Sequence, residues 1–214
     1  MSTDDGNATT VETIEFETSD GARLHGELAR VEAPRAVAVV CHPHPQYGGN
    51  MLNPVVGALF ARLADAGITT IRFDFRSEFD DGVGELLDVR AAIDATTEIA
   101  PGVPVISAGY SFGAVMALTL DDDRVTHRIL VAPPLASVPP RSMPGADRGR
   151  ALDRPVLVVT PAHDQFAPPD VVEGVIAEWT DAELQVVPSV DHFLLGRADD
   201  VARRAVDWLD ARLP

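Results

Sequence analysis

Lysine is absent from this chain. All 17 basic residues are arginine, set against 33 Asp and Glu in 214 residues, for a formal net charge of −16 and a pI near 4.6. An acidic surface repels phosphate backbones and anionic bilayers, which argues against nucleic acid or a membrane as partner. Cysteine is scarce too. Cys41 stands alone, which excludes an internal disulfide and any multi-cysteine metal site. Long apolar runs are missing: Ala36–Cys41 and Val156–Val159 are far too short to span a bilayer. The start, Met-Ser-Thr-Asp-Asp-Gly, lacks the basic and apolar stretches of a secretory signal. A cytoplasmic protein is expected, with residues 1–10 or so as a disordered tail.

What is present is enough apolar material for one large core. The hydrophobic fraction is 46%, and the length suits a single domain over residues 1–214. Val11–Thr18 alternates apolar and polar residues, Ser19-Asp20-Gly21 signals a turn, and Ala22–Ala29 reads as the second arm of a hairpin. Ala36–Cys41 is a continuous β-rich run, as a strand covered on both faces would be. Helical spacing follows from Pro54 to Gly67, then a strand over Ile68–Phe75 and a helix to about Ile99. Pro104–Tyr110, Val125–Ala132, Val156–Thr160 and Leu184–Val187 read as further strands. Phe112–Leu120, Pro169–Trp179 and Ala198–Leu213 read as helices. This alternation predicts an α/β fold. Its sheet is mostly parallel with an antiparallel N-terminal hairpin, helices cover both faces, and functional loops lie at the carboxyl ends of the strands.

Gly109-Tyr110-Ser111-Phe112-Gly113 sits between a predicted strand and a predicted helix. G-x-S-x-G in that setting is a nucleophile elbow: a sharp reversal leaves the serine hydroxyl exposed above the sheet, and the glycines stand where side chains would collide. The helix start aims free N–H groups at the same place, which favours developing negative charge. Serine needs a general base, and the base needs a carboxylate to hold its tautomer. In this arrangement the chain order is Ser, acid, His. His127 lies within a predicted strand, and His163 directly precedes Asp164. His192 lies in a loop between the last strand and the last helix, where the base belongs. Asp164 follows the strand Val156–Thr160. Asp191 is too close to His192 in sequence to orient it, and Asp170 suits a helix start. The candidate catalytic residues are therefore Ser111, His192 and Asp164.

The loop Cys41-His-Pro-His-Pro-Gln-Tyr-Gly-Gly-Asn50 follows the Ala36–Cys41 strand. In such a fold it supplies one oxyanion N–H, and the residue after the nucleophile, Phe112, supplies the other. Pro43 and Pro45 have no N–H, which leaves His44 as the first donor. Tyr47, Gly48, Gly49 and Tyr110 are candidate substrate-binding residues, the glycines because they permit close approach of the chain to a substrate or to the elbow. The two histidines have no accompanying carboxylate or cysteine cluster, so no metal and no cofactor is expected. Cys41 reads as a small core residue.

These stretches together resemble the α/β-hydrolase superfamily, in its group of small lidless members with a His-Pro-His-Pro loop. That group is similar to the dienelactone hydrolases and to the hydrolase-like domain of the KANL3/Tex30 proteins. The likeness rests on His42–Met51, Phe73–Glu85, Gly109–Gly113, Ala162–Pro168 and Asp191–Arg197. It implies an α/β-hydrolase fold without a substantial lid, and it puts Ser111, Asp164 and His192 at the triad positions. It departs from the group's pattern at Ser77, Ala162 and Gln165, which bears on substrate preference more than on the triad. Arg76 could bind a substrate carboxylate, although pairing with local acids is the simpler role. Pro133–Pro155, where larger relatives insert lids, has no apolar helical face. Leu135, Val138 and Met143 are expected to line one side of an open site. The function expected is ester-type hydrolysis of a small-molecule substrate, and the alternative is a non-catalytic interaction protein that keeps the fold.

The missing lysine and the excess of Asp resemble the composition of proteins adapted to molar salt, where charge repulsion is screened within a few Å. We expect the unfolding midpoint to rise as KCl increases toward molar concentration. Equal stability at low and molar KCl would contradict that reading.

Overall fold

The middle of the sheet is apolar on both sides. Ala36, Ala38 and Val40 enter one core and Val37, Val39 and Cys41 the other, all of them fully buried. The structure, a computed structural model, describes residues 9–136 and 154–214. Eight strands form one sheet: β1 (Thr9–Glu17), β2 (Arg23–Val31), β3 (Ala36–Cys41), β4 (Ile68–Phe73), β5 (Val105–Tyr110), β6 (Val125–Val131), β7 (Val156–His163) and β8 (Ala182–Asp191). Their spatial order is β1-β2-β4-β3-β5-β6-β7-β8. The β1–β2 and β2–β4 pairs are antiparallel and every other pair is parallel. The expected mostly parallel sheet with an antiparallel start is the one observed.

Five helices lie among the described residues: α1 (Pro54–Asp65), α2 (Val83–Ile99), α3 (Phe112–Thr119), α4 (Pro169–Ile176) and α5 (Ala198–Asp210). On one face α1 buries Val55, Val56, Leu59 and Leu63 beside Val201, Ala205 and Trp208 of α5. On the other, α2 contributes Val89, Ala92 and Ile93, α3 contributes Val115 and Met116, and α4 adds Val172 and Ile176. Fully burying side chains of this size contributes about 1.5–3 kcal/mol each before chain entropy is charged against it. None of the described helices is long and apolar enough to cross a membrane.

The sequence places several boundaries differently. Thr9 and Thr10 belong to β1, paired with Val31 and Arg30, and so are not part of a disordered tail. Residues 1–8 lie outside the described residues, as do 137–153, which carry Val138, Met143 and most of the stretch expected to lack a lid. Leu135 does not line a site. It is buried in the cluster formed by Ala114, Ala117 and Leu118.

The segment between β4 and α2 is held by charge. Asp88, buried on α2, accepts from Arg76 Nε at 3.0 Å, from Nη2 at 2.7 Å and from the Arg76 backbone N–H at 3.0 Å. Asp20 takes the remaining Nη1 at 2.9 Å, and this partner draws its carboxyl down to about 2. Gly84 makes room, since a Cβ there would lie 2.3 Å from Arg76 Nη1. Buried Glu85 accepts from the N–H groups of Asp80 (3.0 Å) and Gly82 (2.9 Å), so its side chain reaches back to satisfy the backbone ahead of α2. The guanidinium of Arg76 is thereby occupied within the fold. Asp74 reaches across to accept from the Met51 N–H at 2.7 Å, joining this segment to the loop after β3.

Candidate active site

The elbow is tight because two side chains are missing. A Cβ on Gly109 would lie 2.2 Å from the Gly113 carbonyl oxygen, and one on Gly113 would lie 2.3 Å from the Cys41 carbonyl oxygen. Both collisions are with backbone, which cannot swing away. Ser111 between them has φ 53° and ψ −116°, a conformation that costs on the order of 1–3 kcal/mol for a residue with a side chain. Its N–H donates to Val131 at 2.8 Å, fixing the bend to β6. The N–H groups at the start of α3 follow directly. Phe112 N–H has no hydrogen-bond partner among the described residues.

Asp164 and His192 come together through strand register. In the β7–β8 ladder His163 pairs with Asp191, so the next residues on each strand, Asp164 and His192, emerge side by side. His192 Nδ1–H donates to Asp164 Oδ2 at 2.9 Å, and Ser111 Oγ lies 2.9 Å from His192 Nε2. Asp164 Oδ1 accepts from the N–H groups of Phe166 (2.8 Å) and Ala167 (3.1 Å), which locks the carboxylate's rotamer. Asp164 and His192 are both buried, at 3% and 6% exposure, so their hydrogen bond is shielded from water. An imidazole held between a carboxylate and a hydroxyl in this order can take the hydroxyl's proton and return it.

Tyr110 is positioned differently from the sequence expectation. It is buried on β5, its hydroxyl donates to the His192 carbonyl at 2.8 Å, and its ring stacks on the imidazole at 5.8 Å. It therefore faces the histidine from inside the protein and is not a substrate contact. Burial raises its phenol pKa, which keeps it a donor. Gln165 completes the hold, accepting from the His192 N–H at 3.4 Å. The sequence gives no sign of either role, because both act on backbone groups.

The loop after β3 turns through a short 3₁₀ segment, Pro45–Tyr47, capped by His44. Gly49 is close to the Pro43 carbonyl, where a Cβ would lie 2.0 Å away, so the close approach it permits is within the loop and not toward substrate or elbow. Gly48 has φ 83° and closes the same turn with nothing near it. Tyr47 is largely exposed on the loop's outer side. The His44 ring sits 4.8 Å from Phe112 and 4.5 Å from Phe79, which brings this loop against the start of α3. Like that of Phe112, the His44 N–H has no hydrogen-bond partner among the described residues. Phe79, Phe166 and Phe193 complete the surroundings. They lie in loops whose sequence carries no periodicity to mark them.

His42 is buried beneath the loop. The Phe75 N–H donates to its Nε2 at 3.0 Å, so the ring proton is on Nδ1, which donates to the Pro43 carbonyl at 2.5 Å. This neutral ring ties the end of β3 to the end of β4. Cys41 is fully buried, its thiol pushed up by desolvation, as suits an inert core residue.

Solved structures share this fold. The chain superposes on an α/β serine hydrolase without lid from Xanthomonas campestris with a TM-score of 0.82 and 27% identity, covering 97% of both chains. The fold is that of the α/β-hydrolases. An α/β serine hydrolase homologue from Coxiella burnetii gives a TM-score of 0.80 at 27% identity, over 92% of this chain and 97% of that one. An uncharacterized protein of Rickettsia prowazekii is 27% identical over 92% of this chain and 87% of its own length. No family model matches the chain. The likeness to serine hydrolases supports a hydrolase function.

Burial lowers the His42 pKa below the ordinary 6.5. Above 6.5 the ring is neutral in both folded and unfolded chains. Below it the unfolded chain binds a proton that the folded chain resists, so stability is lost as pH falls from 6.5 toward the folded value. We expect urea midpoints to fall over that range, and the fall to be shallower in His42→Gln, whose carbonyl oxygen can still accept from Phe75. An unchanged slope would remove His42 from the acid response. Part of the slope remains in any case, because burial also lowers the pKa of His44 and His127.

Proposed function

We propose that the chain is a serine hydrolase of small ester-type substrates, with Ser111 as nucleophile, His192 as general base and acid, and Asp164 as the carboxylate that orients it. The observation carrying this reading is the unbroken hydrogen-bonded sequence from Ser111 Oγ through His192 to Asp164, both links 2.9 Å, starting on a strained elbow. The His-Pro-His-Pro loop lies against the N-terminus of α3 beside it, in keeping with the small lidless, dienelactone hydrolase-like group.

As the Ser111 hydroxyl attacks the ester carbonyl, its proton passes to His192 Nε2 and a C–O bond forms to Oγ. The carbonyl oxygen becomes an oxyanion. The N–H groups of Phe112 and His44 receive it, each such donor typically worth about 3 kcal/mol in the transition state. The imidazolium next to Asp164 then protonates the departing alcohol as its C–O bond breaks. Water, deprotonated by the same imidazole, hydrolyses the acyl-serine and regenerates the hydroxyl. Tyr110 and Gln165 hold the His192 backbone while the ring changes charge. A thioester or a lactone fits the same sequence of bonds.

A panel of short-chain aryl esters, thioesters and lactones tests this. Ser111→Ala is expected to lower kcat/KM by a factor on the order of 10³ or more while leaving the circular dichroism spectrum and unfolding midpoint near those of the parent. Turnover that survives the substitution would remove Ser111 from the mechanism. A parent chain that hydrolyses none of the panel and takes up no fluorophosphonate would favour a non-catalytic protein that keeps the fold.

A further inference from the structure

Most large apolar side chains are buried, and four of the exposed ones share one end of the sheet. Tyr47 (86% exposed), Phe166 (44%), Phe193 (65%) and Leu195 (89%) all lie in loops that follow β3, β7 and β8, at the carboxyl end of the sheet. Two of them flank the imidazole directly. The Phe166 ring is 4.5 Å and the Phe193 ring 5.9 Å from the ring of His192, both edge-on. The turns that hold the acid and the base also aim these rings. Phe166 N–H donates to Asp164 at 2.8 Å, and Phe193 N–H donates to Asp191 at 3.1 Å. On the Phe112 side His44 and Phe79 stack into a second aromatic wall, with Tyr47 outside it. A chain of net charge −16 that exposes rings here leaves apolar surface in water beside the reacting groups. Asp164 and Asp191 adjoin the histidine, and Arg76 is closed off by Asp20 and Asp88.

We infer that Phe166, Phe193 and Leu195 form one apolar wall of the substrate site, opposite the Phe112–His44–Phe79 wall, and that the site selects esters whose acyl and alcohol arms are both uncharged and apolar, discriminating against carboxylate-bearing esters and lactones. This rests on the assignment of Ser111 as nucleophile. An apolar arm beside the rings removes ring and methylene surface from water, so selectivity grows with acyl length. A carboxylate in either arm meets aspartates and has no free guanidinium from Arg76 to receive it.

Matched substrates separate these effects: methyl 4-acetoxybenzoate, methyl 4-(hexanoyloxy)benzoate, and 4-(hexanoyloxy)benzoate with its carboxylate free. The parent chain is expected to prefer the hexanoyl over the acetyl ester by about tenfold or more in kcat/KM, and the methylated over the free carboxylate by about tenfold. In Phe166→Ser and Phe193→Ser the hexanoyl-to-acetyl ratio is expected to fall severalfold. Each variant is also titrated with a fluorophosphonate, which reads the nucleophile without the longer arms. Full labelling with equal or better turnover of the free carboxylate, or with an unchanged hexanoyl-to-acetyl ratio in both variants, would overturn this inference and leave the serine assignment standing. No labelling and no turnover in the parent would overturn both.

Discussion

The backbone reversal at Ser111 is the constraint from which the rest of the site follows. It exists only because Gly109 and Gly113 have no side chains. The first lets α3 fold back on β5, and the second lets α3 press against the end of β3. Any Cβ at either position would meet backbone well inside contact distance. The strain at Ser111 is retained because the surrounding sheet over-determines it: β5 is paired on both sides by β3 and β6, and the Ser111 N–H is bound to Val131. A buried sheet centre, paired on both sides of β5, is therefore what keeps Ser111 in an unfavourable backbone conformation.

The partner groups come from a different kind of order. Asp164 and His192 are 28 positions apart, and they meet because β7 and β8 pair as far as His163 and Asp191. A slip of that register would separate them. Several contacts then guard the histidine: the Asp164 carboxylate at Nδ1, Tyr110 at its carbonyl and Gln165 at its N–H. Fixing the backbone as well as the ring leaves little orientational freedom to be lost when the ring takes a proton, which is the condition for preorganised acid–base chemistry. The loop carrying His44 is placed by similar means, through neutral His42 below it and Asp74 at Met51.

Much of the fold was legible in the residues because the sheet core is written in uninterrupted apolar runs. Ala36–Cys41 and the strand before the elbow match their observed spans closely, since every position in them is buried and only the small Ser107 is a polar interruption. The ends of β7 and β8 were not legible. Val156–Thr160 and Leu184–Val187 are the parts with an apolar signal, whereas beyond them only Pro161 with Val187 and His163 with Asp191 are paired, across a register shift, and most of 162–163 and 188–191 is partly or fully exposed. That extension is what brings Asp164 and His192 together. The elbow and the loop positions of Asp164 and His192 could be read because their chemistry demands particular residue types in a particular chain order. Tyr110 was misplaced as a substrate contact because its hydroxyl serves a backbone carbonyl 82 positions away, and no pattern of residue types announces that. Gly49 was misjudged for a similar reason, since its tight neighbour, Pro43, belongs to its own loop.

The central claim is that Ser111, His192, Asp164 and two backbone N–H groups act together on one carbonyl. A crystal structure of the chain after reaction with diethyl p-nitrophenyl phosphate tests this most directly. The account predicts phosphorus bonded to Ser111 Oγ, with the phosphoryl oxygen within hydrogen-bond distance of the N–H groups of Phe112 and His44. Phosphorus on another residue, or a phosphoryl oxygen turned away from both N–H groups, would contradict it.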